Sequence, residues 1–521
     1  MSKLLVWALA ASGTLACQTV VTFRSTIDRS DQPYALYVPQ PWEAERRYPL
    51  VVGLHEEESN HLVSLKRVLG IAPRPGETAV PAPGSGSPMR AAGYLVACPL
   101  ARGTMGYQGI AEQDVYDMLA DVERRYAVDH DRVYLTGASM GGGGALWLAL
   151  TRPDVWAAVA PVCADVAPGT GELAPNALKL PIRLFHGDLD PAVGVQSSRQ
   201  WQRRLLELES PVEYIEFPGV RHNAWDFAYK DGALFDWFGK HRRNANPDRV
   251  RLVTRDLRYG AAWWVRIDAL APGALASVDA VRTSGGVRVQ TKNAEAFTLS
   301  IGAASVTIDG AALRIRPASP LSFVRTPQGW KQGAVAAAPL QGPIVEAVNT
   351  RHIYVYGTGD ELSRQYAETA AAWSGNRWGL KLKLPVKSDR EVNDDDLAGA
   401  NLVLFGTERT NRLLARFSAQ FPIALLPGAA DYGLLFIIPA GKHYLLVSSG
   451  LPWWTGAEEA DRGGYRFAPA TYRLLSTFGD YILFKGSLAN VLAEGRFDRR
   501  GKVGPSGAER LRATGTVIVL E

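Results

Sequence analysis

The chain has 521 residues, 57 basic against 52 acidic for a net charge of +5, with 47% apolar and 21% charged residues. That is the balance of an ordinary globular protein, and at roughly 100–200 residues per domain it allows two to four domains. The basic residues are scattered and form no long run, which excludes the electrostatic footprint of a nucleic-acid binder.

Lys3, the apolar run from Leu4 to Ser12 and the small residues Thr14 and Ala16 before Cys17 read as a secretory signal peptide over residues 1–17. An exported protein is expected: periplasmic, extracellular or membrane-tethered in a bacterium. The competing reading is a lipoprotein signal with a lipid anchor at Cys17, although Thr14 stands where such signals usually carry Leu. No later stretch is apolar over the roughly 18–20 residues that a membrane helix needs. The three cysteines, Cys17, Cys98 and Cys163, give no disulfide framework and no metal spacing.

From residue 18 to 245 strands and helices alternate. Tyr34–Val38, Leu50–Leu54, Tyr94–Cys98, Arg132–Thr136, Ala157–Val162, Ile182–Phe185 and Val212–Phe217 are expected strands. Glu112–Tyr126 and Ala145–Leu150 are expected helices, and the Pro-, Gly- and Ser-rich stretch Pro73–Pro88 a surface loop. Such alternation predicts an α/β fold with a doubly wound, mainly parallel sheet. Near Asn244-Ala245-Asn246-Pro247 the pattern changes to period-two runs such as Trp264–Ile267 and Phe297–Ile301. Residues 246–344 are therefore expected to form a small all-β, sandwich-like module. Alternation returns in 345–521, read as a second, smaller α/β domain with strands at Ile353–Tyr356, Asn401–Phe405, Leu434–Ile438 and Tyr444–Ser448. Helices are expected there at Leu362–Trp373 and Asn411–Ser418. In each tryptophan pair, Trp263-Trp264 and Trp453-Trp454, one member is expected inside.

The sharpest chemical signal is Gly137-Ala138-Ser139-Met140-Gly141, between an expected strand and an expected helix. A serine on that turn is held strained with Oγ exposed, and chain passing close by demands small flanks, met by Gly137 and Gly141. A serine hydroxyl needs a base, and in this arrangement the chain order is Ser, acid, His. Downstream stand Asp188 and Asp190 in His186-Gly187-Asp188-Leu189-Asp190, then His222 in the turn after Val212–Phe217. All fall at the carboxyl end of the expected sheet, where ligands bind in such folds. Gly141–Gly144 lacks the Lys of a phosphate loop, and no metal cluster or dinucleotide fingerprint is present in the sequence.

Asp131–Gly137, the Ser139 turn, His186-Gly187 and Gly219-Val220-Arg221-His222-Asn223-Ala224-Trp225 together resemble the α/β-hydrolase superfamily. Within it they are most similar to the secreted esterase, polyhydroxybutyrate depolymerase-like and prolyl-oligopeptidase-like branches, over about 220 residues. The resemblance implies an acid four residues after the His of the His-Gly pair, which is Asp190, with Asp188 as the alternative. It implies His222 as base, an acyl-enzyme on Ser139 and an oxyanion hole from the backbone N–H groups of Met140 and Glu56. Relatives often carry glycines where this chain has Glu56-Glu57-Glu58, so the second donor departs from the pattern, and the three acids would disfavour anionic substrates. No cofactor and no metal are needed. Three functions stay open: hydrolysis of carboxylic esters on acylated carbohydrate or polyester, peptide hydrolysis with the same triad, and binding without catalysis.

Overall fold

The computed structural model describes residues 17–71, 93–316, 318–334, 342–375, 382–456, 466–468, 470–498 and 500–520. Of the leader read over residues 1–17, residues 1–16 lie outside the described residues, as does the loop read over 73–88, and Cys17 opens the first strand.

Eight strands form the first sheet: β1 (Cys17–Arg24), β2 (Asp31–Val38), β3 (Tyr48–Leu54), β4 (Leu95–Pro99), β5 (Val128–Ala138), β6 (Ala158–Val162), β7 (Ile182–Gly187) and β8 (Val212–Phe217). Their order is β1-β2-β4-β3-β5-β6-β7-β8. β1–β2 and β2–β4 are antiparallel and the remaining pairs are parallel, with Val51 opposite Tyr134 and Gly137 opposite Pro161. Every residue of β3, β4 and β6 is buried, as strands covered on both faces require. The covering helices include α1 (His61–Val68), α2 (Ile110–Arg125), α3 (Met140–Thr151) and α4 (Gln196–Glu207). α3 begins five residues before the expected Ala145, because its four glycines are helical. Their lack of side chains serves close packing: a Cβ on Gly143 would meet the backbone of Asp165, and one on Gly144 the ring of Tyr107.

Between Arg249 and Gln332 lie two five-stranded sheets with a core of alternating residues such as Val278, Ala280, Val287 and Val289. They are tied to the first sheet's helices by Asn176, whose amide exchanges hydrogen bonds with backbone Val253 at 2.6 and 3.0 Å. Tyr259 adds a 2.7 Å bond from its hydroxyl to buried Glu112. The last sheet has seven strands spanning His352–Gly495. Four pair in parallel, but Tyr432–Ala440 and His443–Gly450 are antiparallel neighbours. Only Gly441 and Lys442 connect these two, and a two-residue turn with Gly at φ 65° permits no crossover. Trp264 and Trp453 are buried and their partners Trp263 and Trp454 half-buried; both pairs sit at turns.

One apolar interior runs from the first sheet into the last, joining Met105, Ile110 and Leu148 to Val348, Tyr354, Leu382 and Leu475. Gly109, at φ 63°, marks the seam, since a Cβ there would fall on the Asn349 side chain. The Asp28 carboxylate also accepts the backbone N–H of Lys383 at 3.0 Å. The C-terminal sheet is thus packed against the loop after β4 and against the β1–β2 turn. The antiparallel pairing of β2 with β4 puts both of these at the carboxyl end of the parallel strands.

Candidate active site

β5 ends directly in Ser139, whose backbone sits at φ 52° and ψ −116° before α3 begins. A non-glycine residue there is strained, and the surroundings hold it: its N–H donates to Val162 O at 2.9 Å, and its carbonyl accepts from Gly143 and Asp165 at 3.0 Å each. A Cβ on Gly141 would press into the Leu54 and His55 carbonyls, so the turn and the end of β3 lie in contact. Ser139 is only 3% exposed.

The loops after β7 and β8 bring the other groups to it. His222 Nε2 is 3.0 Å from Ser139 Oγ, and His222 Nδ1 is 2.7 Å from Asp190 Oδ2. Asp190 Oδ1 accepts the N–H groups of Ala192 and Val193, both at 2.9 Å. The structure thus brings Ser139, His222 and Asp190 together and leaves Asp188 aside. Asp188 instead accepts the Gly219 N–H at 2.6 Å, stapling the His222 loop to the acid loop. His186 is buried beneath them. Val193 O, 2.9 Å from its Nε2, can only accept, so that nitrogen carries the hydrogen and Nδ1 accepts from Ser198 Oγ at 2.7 Å. Burial lowers the His186 pKa, which suits this neutral ring, and its Nε2 also lies 3.3 Å from Asp190 Oδ2.

Met140 opens α3, where the first N–H groups have no intrahelical acceptor. Glu56 follows the β3 residues that touch the turn. Its carbonyl is 2.7 Å from His55 Nδ1, while Leu100 O is 2.9 Å from the other ring nitrogen. Tyr107 donates to His55 O at 3.1 Å. The acid triplet does not stand as three free charges. Glu56 is ion-paired with Arg67 of α1, and Glu57 lies 3.6 Å from Arg466 of the C-terminal region. Glu58 is exposed. Arg67 also lies 4.7 Å over the Trp225 ring, which packs edge-on against His222. Arg466 bonds Asp165 at 2.7 Å, and Asp165 holds the Ser139 carbonyl. Arg67, Asp165 and Arg466 were invisible in the sequence because each acts across long separations; Trp225 alone stood in a quoted motif.

Cys163, Asp190 and His222 offer ligand atoms within 4.8 Å of one another. Burial pushes the Cys163 thiol pKa upward, keeping it protonated, and a thiol is a poor metal ligand. Asp190 and His222 are, besides, committed to each other.

Residues 29–205 match the Esterase family model. The matched stretch runs from the β1–β2 turn into α4 and includes Ser139 and Asp190 but not His222. Among solved structures the chain is similar to a thermostable esterase, at 24% identity and a TM-score of 0.36, over 43% of this chain and 63% of that one. It is similar to a ferulic acid esterase at 16% identity and a TM-score of 0.36, over 43% and 98% of the two chains. An S-formylglutathione hydrolase from Agrobacterium tumefaciens shares 15% identity at a TM-score of 0.36, over 45% and 98%. No curated protein sequence matches the chain.

Proposed function

We propose that the protein hydrolyses carboxylic esters, with Ser139 as nucleophile, His222 as general base and Asp190 as the group that orients it. The observation that carries this reading is the hydrogen-bonded line Asp190–His222–Ser139, at 2.7 and 3.0 Å, at the carboxyl end of the sheet. With Nδ1–H given to Asp190, His222 Nε2 bears the lone pair that takes the Ser139 proton as Oγ attacks the ester carbonyl. The tetrahedral oxyanion lies against the N–H groups of Met140 and Glu56, a contribution of about 3–4 kcal/mol per donor. Collapse expels the alcohol, protonated by the imidazolium, and leaves an acyl-enzyme. Water, deprotonated by the same ring, adds to it, and the acid leaves with Ser139 regenerated. The ion pair with Arg67 supports Glu56 as a donor site despite the missing glycines, since it draws the carboxylate away from the oxyanion.

A fluorophosphonate probe tests the nucleophile, and p-nitrophenyl acetate tests the turnover. Wild type is expected to label and to release nitrophenol, and Ser139→Ala to do neither while keeping its circular dichroism. Folded wild type that fails to label would favour the binding-only reading.

A further inference from the structure

A pocket of about 580 Å³ opens where the three parts of the chain meet, on the β1–β2 side of the first sheet away from Ser139. Its walls include Ile27 from the β1–β2 turn, Asp256 and Arg258 from the middle sheets, and Glu346, Arg351 and Lys442 from the C-terminal region. The volume is that of an ordinary small-molecule site.

The charges are unevenly matched. Arg258 is committed to the interior: it lies 3.9 Å from buried Glu112 and over the Tyr259 ring. Asp256 and Glu346 share the pocket wall, and each carboxyl acts on the titration of the other. Burial raises both carboxyl pKa values, and the Asp256 charge raises Glu346 further, which weighs against two full negative charges on this wall. The other carboxylates nearby are occupied. Asp117 accepts from Thr26 and Gln113, and Asp396 binds Lys387 at 2.6 Å. Arg351 and Lys442 are left with no carboxylate within ion-pair distance among the described residues. Arg351 is half-buried, and burial together with the like charge of Arg29 lowers its pKa, with only a partial offset from distant Asp396. A half-buried guanidinium that feels the like charge of Arg29 and shares a pocket wall with Lys442 gains from an anion in that pocket.

We propose that this junction pocket binds a small hydroxylated molecule carrying one oxyanion group, carboxylate or phosphate, clasped by Arg351 and Lys442. The Asp256 and Glu346 carboxyls and the Tyr444 side chain on the same wall supply polar contacts for its hydroxyls. This site is independent of the ester-hydrolase reading, and Ser139 takes no part in it.

The test is a thermal-unfolding titration of the full chain at fixed ionic strength with D-glucuronate, D-glucose 6-phosphate and D-glucose. The expected result is a saturable rise in melting temperature with one or both acidic sugars and none with glucose; which acid acts identifies carboxylate or phosphate as the source. In Arg351→Ala and in Lys442→Ala the apparent Kd is expected to weaken about tenfold each, the scale of one charge-assisted contact. Lys442 is exposed, so its variant keeps the test valid if the Arg351 change disturbs folding. Equal response to glucose, an unchanged Kd in folded Lys442→Ala, or no saturable shift with any of the three sugars would overturn the proposal.

Discussion

Replacing Asp190 by Asn probes the proposed triad in a way the local geometry makes sharp. Oδ1 accepts two backbone N–H groups at 2.9 Å, so the amide of Asn must put its oxygen there. The opposite orientation would set an NH2 against two N–H donors and leave both unpaired, at about 1–3 kcal/mol each. Its NH2 therefore faces His222 Nδ1, which must become the acceptor, and the ring's hydrogen moves to Nε2. A ring protonated at Nε2 cannot take the Ser139 proton. The expected loss in kcat/KM is about 10⁴-fold, or roughly 5.5 kcal/mol of transition-state stabilisation. The assay is p-nitrophenyl acetate hydrolysis beside Asp188→Asn, which loses only a carboxylate that staples Gly219 and is expected to stay within about tenfold of wild type. Folded Asp190→Asn within tenfold of wild type, or an Asp188→Asn loss of the same size, would refute the reasoning.

Three further outcomes are expected. Arg67→Ala strands the buried Glu56 carboxylate and should destabilise by about 3 kcal/mol in urea unfolding, with Arg67→Ala/Glu56→Gln recovering a large part. Gly109→Ala puts a methyl group on the Asn349 side chain at a positive φ and should cost about 2–4 kcal/mol by thermal denaturation, partly rescued by Asn349→Gly. Burial pushes the Asp480 carboxyl up to about 6, above its unfolded value of about 4. The protonated form is therefore favoured in the folded state: its contribution is complete below pH 4 and lost as pH rises through 6. Wild type minus Asp480→Asn stability should fall by up to about 3 kcal/mol between pH 4 and 6.5, and a flat difference in urea midpoints would contradict this.

The first sheet was legible because its strands are short apolar runs bounded by turns, and the Ser139 turn because its constraints are local. The edge strand β1 was not read from the sequence: its residues alternate in exposure, with Val20 half-exposed, and a strand paired on one side needs little apolar sequence. The start of α3 was misplaced because glycine normally opposes helix, whereas close chain contacts select it here. Four strands of the last sheet were legible as apolar runs, but the antiparallel pairing of Tyr432–Ala440 with His443–Gly450 rests on a two-residue turn that period counting does not weigh. The acid triplet misled for a different reason. Charge in a loop says nothing about the cation that meets it, and Arg466 lies some 400 residues away in the sequence from Glu57.

The continuous interior between the first and last sheets bears on how the chain is made. Ribosomes add about 5–20 residues per second, so the flank formed by Met105, Ile110 and Leu148 waits from roughly ten to roughly seventy seconds for Val348 to Leu475 to emerge. During that interval an oily wall beside the nascent Ser139 turn stands bare. A chaperone that shields it, or slow translation that prolongs it, should therefore govern the yield of native protein more strongly than any change in the triad itself.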